Sequence, residues 1–361
     1  MILTRSRKID IGTALQIIMS KTELLGYGHY TIAVICALGN EMNAVRHALD
    51  REHAILPIKS QDSNIYILGE LSGHNVVITC LPGSQGKSPS AIAATNLART
   101  FPSVKYRFLV GIGGGASSAR NDIRLGDVVV GMATDSHGGV VQYDHGKDTE
   151  TGFVRKGFTS PPPSVLRSAV YKMQSDHIYR ASKNMTSAGH VLSAYQKPSE
   201  PDVLFEATYT HQSNHHSCVQ CDLKMAVQRP PRSDDRPRIF YGLIASGDRV
   251  IKSAIKRTAI IEDIGDNVLC FEMEAAGLMN EYPALVIRGI SDYADSHKND
   301  TWQYYAAASA AACTKELLSH LDPERASPGL SSGPSSSTGE FSRSVKGMIP
   351  FSFRLHYDVI F

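Results

Sequence analysis

Residues Val268–Asp292 read VLCFEMEAAGLMNEYPALVIRGISD. Two apolar runs, Val268–Phe271 and Ala284–Ile290, each end in acid, the first at Glu272 and Glu274 and the second at Asp292. A helix-length segment separates them, so the pattern predicts strand, helix, strand. Open α/β sheets bind ligands at the carboxyl ends of their strands, which is where these acids stand. Carboxylates there suit recognition of sugar hydroxyls or proton transfer. Glu272 and Glu274 bracket Met273 and share a face in extended backbone. Taken singly, each acid is better explained blandly, Glu272 and Glu274 as favourable residues at a helix N-terminus, Asp292 as an N-cap and Glu41 as a solvated first-turn residue; four acids at the ends of apolar runs are harder to explain that way together.

The same alternation extends outward. Tyr30–Leu38 (YTIAVICAL) reads as a buried first strand and Glu41–Asp50 has helical spacing, which puts Glu41 at a strand-to-helix junction. Asn64–Leu71 and Asn75–Leu81 flank Ser72-Gly73-His74, a hairpin signal. A Gly/Ser-rich loop, Pro82–Ser88, feeds an Ala-rich helix over Ser90–Thr100. Arg107–Val110 is a strand, and Gly111-Ile112-Gly113-Gly114-Gly115 after it reads as a tight turn or a ligand-facing loop. It is not a dinucleotide fingerprint, because Ala116 stands where GxGxxG needs its third glycine. Asp127–Ala133, Gly138–Tyr143 and Ile239–Ala245 are further strands; Pro161-Pro162-Pro163 opens a helix over Ser164–Met173, and Tyr304–His320 is helical by propensity. Alternating elements over Tyr30–His320 indicate one α/β domain.

Around that domain, residues 1–28 form an N-terminal extension and about 183–237 a polar insertion. From Asp322 the chain is a Ser/Pro/Gly-rich linker and a tail too short for a domain. The domain itself spans 29–321. The 361 residues are 42% hydrophobic and 20% charged, enough for a sizeable core. A net charge of +2 gives no electrostatic case for a nucleic-acid or membrane partner. No apolar run reaches the roughly 18–20 residues of a membrane span. Cys36, Cys80 and Cys270 lie in apolar runs, there is no disulfide framework, and a reducing, cytoplasmic location is expected. Cys218-x2-Cys221, with His211, His215 and His216 upstream, has the donor types of a zinc site. Its order is no standard finger spacing, so a packed or exposed loop is the favoured reading, and no metal or cofactor is assigned.

Six segments, VICALGNE, VGIGGG with NDIRLGDVVV, GGVVQYDHGK, YGLIASGD, CFEMEAAGLMN and VIRGISDYADSHKND, together resemble the nucleoside phosphorylase superfamily across Tyr30 to Leu321. Within it the chain is similar to methylthioadenosine/adenosylhomocysteine nucleosidases, and above all to the nucleoside-phosphorylase-like domains of fungal multidomain, NLR-like proteins. The resemblance implies a twisted mixed central sheet flanked by helices, a homo-oligomer, and a purine nucleoside or nucleotide substrate. It implies that Asp292 protonates the leaving purine, with Ser291 as its neighbour, and that Glu41 positions or activates water. It implies that Glu274, with Met273, binds the ribose hydroxyls, with Glu272 in support. Phe271, Gly113, Gly114, Val250 and Ile251 would line base and sugar, and Gly86 and Gln85 would lie near the substrate's 5′ end.

Three departures narrow the expectation. Phosphorylases of the superfamily carry an arginine just before the glycine run, where this chain has Leu109, which favours water over phosphate as nucleophile. Gln85 stands where methylthioadenosine nucleosidases have an apolar residue, and Val250 where they have a base-stacking aromatic. Gln85, Lys87 and Arg249 instead suggest a polar or phosphorylated 5′ end. The expected activity is purine N-ribosyl hydrolysis releasing free base; a phosphorylase and a nucleotide-sensing module of a larger signalling protein are the alternatives.

Overall fold

The computed structural model describes residues 25–57, 59–182, 195–211 and 217–323. The N-terminal extension before residue 25, His215, His216 and the linker and tail from residue 324 lie outside them, as does part of the insertion. The elements are β1 (Ile32–Cys36), α1 (Gly39–Ala48), β2 (Arg51–Glu52), β3 (Tyr66–Leu71), β4 (His74–Cys80), α2 (Lys87–Thr100), β5 (Tyr106–Gly115) and β6 (Val128–Gly131). There follow β7 (Val140–Gln142), β8 (Gly146–Thr149), β9 (Gly152–Arg155), α3 (Ser164–Ser182), β10 (Ile239–Ser246), α4 (Ala254–Ile264), β11 (Val268–Glu272), β12 (Leu285–Asp292) and α5 (Gln303–Leu318).

The fold is α/β, built on a mixed ten-stranded sheet in the order β11-β10-β6-β12-β5-β1-β4-β3-β2, with β7 on β10. Side chains alternate across β1, as the pleat requires. Ile32, Val34 and Cys36 pack on one face against Ala44 and Val45 of α1 and Ala310 and Leu317 of α5. Ala33 and Ile35 pack on the other with Ala93, Ala94 and Leu97 of α2. Covered on both faces, β1 is apolar along its whole length. Element ends follow local chemistry. The Ser253 hydroxyl accepts from the Lys256 N–H to start α4, and Gly265 ends it at φ 70°, where glycine carries no steric cost.

Three expectations are corrected. The glycine run is no turn: Gly111–Gly115 completes β5, in register with β12 (Arg288↔Gly111, Ile290↔Gly113). The segment between the two acid-tipped strands is no regular helix but a single 3-10 turn, Ala275–Gly277. The helix after the three prolines runs on to Ser182 rather than stopping at Met173.

β11 and β12 are not neighbours in the main order, yet the acids they carry meet. β11 pairs antiparallel with the end of β5 (Cys270↔Gly115, Phe271↔Gly114) as well as with β10. The strands β5, β12, β6, β10 and β11 thereby close into a ring. β1 lies beside β5, so the first strand and the last two converge on one strand.

Candidate active site

Glu41 stands in the first turn of α1 and is 2% exposed. Its Oε2 accepts from the N–H groups of Ala37 (2.7 Å) and Leu38 (2.8 Å), and Oε1 accepts from Ile112 (2.8 Å) in β5. Burial pushes its carboxyl above the usual range, while Arg288 and these backbone donors pull the other way.

Arg288 is the feature the sequence reading missed. It lies in the middle of β12 and is 1% exposed. Its Nη2 donates to Glu272 (2.6 Å) and Glu274 (3.3 Å), and Nη1 approaches the Ile112 carbonyl (3.4 Å). Burial disfavours the cation, but Glu272, Glu274 and Glu41 outweigh it and raise its pKa. The signal was present as one arginine inside the apolar run of β12. A lone charge there must be paired to be buried.

Glu272 ends β11, and its carboxylate accepts from the N–H groups of Glu274 (3.1 Å) and Ala275 (3.0 Å). It thus fixes the turn that aims Glu274. Glu274 Oε1 accepts from Gly86 N–H (3.2 Å), joining it to the start of α2. Burial pushes the Glu274 carboxyl up to about 7; Arg288 opposes this, and the charges of Glu272 and Glu41 add to it.

Asp292 is 5% exposed and lies just past a register shift between Ile290 and Asp292. A bulge of this kind re-aims a side chain. Asp292 Oδ1 accepts from Ala294 N–H (2.9 Å), holding Ala294 at φ 51°. Its Oδ2 accepts from the Ser291 hydroxyl (2.9 Å), the neighbour expected from sequence, and from the Lys298 ammonium, which was not expected. Lys298 sits in an irregular stretch, so no periodicity flagged it.

These groups share one cleft of about 160 Å³. Glu41, Glu272, Glu274, Asp292 and Arg288 line it, with Lys298 beside Asp292. Met273, Phe271, Gly113, Gly114 and Ser291 also line it, as do Val250, Ile251 and Gln85. Gly86 stands behind Glu274 and reaches the cleft through its hydrogen bond to that residue. The glycines of β5 make room rather than turn the chain. A Cβ on Gly114 would lie 2.8 Å from Asp292 Oδ1, and one on Gly111 would collide with Glu41 and Arg288.

Gln85 and Arg249 stand exposed at the cleft's margin. Lys87 does not share that role. Its ammonium is bound by Asp144 (2.8 and 3.0 Å) and Asp248 (3.3 Å), which lock the start of α2 to the segments after β7 and β10. Leu109 is fully buried, so the position that holds arginine in phosphorylases here belongs to the core.

Comparison with known proteins agrees with this architecture. Residues 31–319 match the family model described as the phosphorylase superfamily. An NLR-like protein of Hyaloscypha variabilis is 42% identical over 307 residues, which cover 83% of this chain and 30% of that protein. The chain thus spans under a third of that relative. An ATP nucleosidase, Cap17, of Escherichia coli is 36% identical over 85 residues, 21% of this chain and 16% of the relative. Among solved structures, a 5′-methylthioadenosine/S-adenosylhomocysteine nucleosidase of Neisseria meningitidis aligns with a TM-score of 0.53 at 20% identity, covering 80% of this chain and 99% of the other. Futalosine hydrolase of Helicobacter pylori aligns at 0.53 and 16% identity, covering 81% and 99%. These two structures share the fold.

Proposed function

Because this chain belongs to the phosphorylase superfamily, we propose that it is a purine N-ribosyl hydrolase acting on a nucleoside or nucleotide. One observation carries the proposal. The carboxylates of Glu41, Glu274 and Asp292, from elements far apart in sequence, line a single cleft beside the bare backbone of Gly113 and Gly114. Glycosidic cleavage passes through an oxocarbenium-like state, and each acid has a task in it. The C1′–N9 bond breaks with its electron pair going to the base, and Asp292 delivers a proton to N7 of the leaving purine. Once the base has left, Lys298 holds the ionised Asp292 carboxylate by its hydrogen bond, and solvent returns to Asp292 the proton that the attacking water gives up through Glu41. Water adds to C1′ and gives its proton to Glu41. A carboxylate has about four acceptor sites, and backbone N–H groups occupy three on Glu41. One remains for the water, and the raised Glu41 pKa suits a general base. Glu274 accepts the ribose hydroxyls and stabilises the cationic sugar. Phe271, Val250 and Ile251 pack on the base and ring, with Glu272 and Arg288 fixing Glu274 from behind.

Water is favoured over phosphate at C1′ because the two cations beside the catalytic acids are already engaged, Arg288 by Glu272 and Glu274 and Lys298 by Asp292. Arg249 and Gln85 at the margin suit a polar or phosphorylated 5′ end, and the partial match to an ATP nucleosidase points the same way. Chromatography of reactions with ATP, AMP and adenosine, each with and without phosphate, tests the proposal. Free base without phosphate is the expected product, and ribose 1-phosphate formed only with phosphate would overturn it. Adenosine turned over as well as ATP would remove the 5′-phosphate reading.

The small share of the fungal relative that this chain spans favours a second reading, a nucleotide-sensing module of a larger signalling protein. Tight nucleotide binding with no base release would establish that reading in place of the first.

A further inference from the structure

Residues 202–211 and 217–226 lie against the irregular stretch Asp295–Asn299, the segment that carries Lys298. Their described part holds one isolated bridge (Phe205↔Ala226) and two 3-10 turns, Cys218–Gln220 and Leu223–Met225. The Cys218 turn, closed by Cys221 N–H donating to the Cys218 carbonyl (3.0 Å), brings the two sulfurs to the same side. A ring nitrogen of His211 and the two sulfurs all lie within 4.8 Å of one another, and both thiols are free. A tetrahedral zinc ion, with Zn–S about 2.3 Å and Zn–N about 2.0 Å, needs such donors roughly 3.4–3.8 Å apart. Side-chain rotations of about 1 Å reach that spacing from the one observed.

The surroundings are those of a ligand set. Metal-bound histidines have their other ring nitrogen held by a neighbour, and N–H donors commonly support ligating sulfur. His211 Nε2 lies 3.3 Å from the Ser217 carbonyl, and the Asn299 amide donates to Cys218 Sγ (3.8 Å). Cys218 Sγ itself donates to the His297 carbonyl (3.6 Å), a bond given up on loss of the thiol proton. His211 N–H donates to the Ser296 hydroxyl (2.9 Å), and its ring stands edge-on to His297 at 5.4 Å. Cys218, Cys221, His297 and Asn299 border a cavity of about 270 Å³ that also touches Ser291 and Asp292.

We propose that His211, Cys218 and Cys221 bind one zinc ion, a further donor completing the tetrahedron, and that the ion ties together the parts of the insertion that rest on the Asp295–Asn299 stretch behind Asp292. Binding expels the two thiol protons as the sulfurs become thiolates, with no change of oxidation state. The site stands independently of the catalytic proposal.

The test uses the full chain, purified without metal-affinity resin under reducing conditions. Mass spectrometry should find about one zinc per chain in the wild type and at least tenfold less in Cys221→Ser and His211→Ala. After zinc is exchanged for cobalt, the wild type should show tetrahedral d–d bands and a sulfur-to-cobalt charge-transfer band, which need no variant to interpret. Stripping zinc with a chelator should speed hydrogen exchange across 295–299 while leaving β1 protected. A wild type that, fully reduced, takes up neither zinc nor cobalt overturns the proposal. So does metal uptake unchanged in both variants, or a Cys218–Cys221 disulfide that excludes metal even after reductant treatment.

Discussion

Replacing Arg288 by methionine should turn the centre of the cleft from a paired network into a cluster of stranded acids. Arg288 and Glu272 are both essentially inaccessible, at 1% and 0% side-chain exposure. Removing one partner of such a pair costs about 3–5 kcal/mol, a large share of a typical ~5–15 kcal/mol total stability. The pH dependence is more diagnostic than the loss itself. In the wild type, Glu274 titrates near about 7 in the folded chain, against about 4.3 unfolded. A raised folded pKa contributes stability that is fully present below the unfolded value and is lost as pH rises through the folded value. Between pH 6 and pH 8 the wild type should therefore lose about 1.4 kcal/mol from this group. Without Arg288, a carboxylate that keeps its proton throughout that range loses about 1.36 kcal/mol per pH unit, or about 2.7 kcal/mol. Urea unfolding at pH 6, 7 and 8, followed through the fluorescence of the single tryptophan, buried Trp302, measures it. Adding Glu272→Gln should recover part of the loss, because one stranded acid is removed. Parallel pH curves for wild type and Arg288→Met, or a loss below about 1 kcal/mol at pH 8, would refute the assignment of Arg288 as the counter-ion of this cluster.

Glu274 also makes KM titrate. Its ionised form accepts both ribose hydroxyls, so KM should fall as pH rises from 6 to 8 through about 7, and Glu274→Gln should give a flat, raised KM. Asp292→Asn should lower kcat by about 10²–10⁴-fold, the range for a positioned acid, with base release followed by chromatography. Lys298→Met should lower kcat less than Asp292→Asn does, since it removes a hydrogen bond that orients the Asp292 carboxylate and leaves the acid itself in place, with base release followed by the same chromatography. Gly289→Ala should destabilise the chain by about 3 kcal/mol without altering KM in the surviving fold, because the new Cβ would strike the Ala306 carbonyl of α5; thermal melting checks it.

The sequence made some of this legible and hid the rest for physical reasons. Glu272, Glu274 and Asp292 could be placed because each ends an apolar run, and strand ends are where such runs break. Glu41 followed from the strand-to-helix junction before α1. Gly111–Gly115 misled because glycine provides either a turn or space, and only the facing side chains of Glu41, Arg288 and Asp292 decide which. Ala275–Gly277 reads as helix by composition, and Glu272 does cap its first N–H groups, but the turns that follow are closed only by scattered bonds such as Met279 N–H to Ala275 and Tyr282 N–H to Leu278, and no regular ladder forms. Lys298 and the β11–β5 pairing are contacts between segments with no shared periodicity, so no local pattern carries them.

That last pairing has a consequence for how the protein comes into being. Cys270 and Phe271 meet Gly115 and Gly114 only after most of the chain has been synthesised, and joining segments so distant in sequence is entropically costly and slow. β1 through β4 can assemble on the ribosome, but the cleft does not exist until β11 and β12 have been inserted on either side of β5. A partly made chain holds Glu41 without Glu274 or Asp292. The proposed nucleotide-consuming activity is therefore withheld from nascent and truncated products by the order of the strands alone.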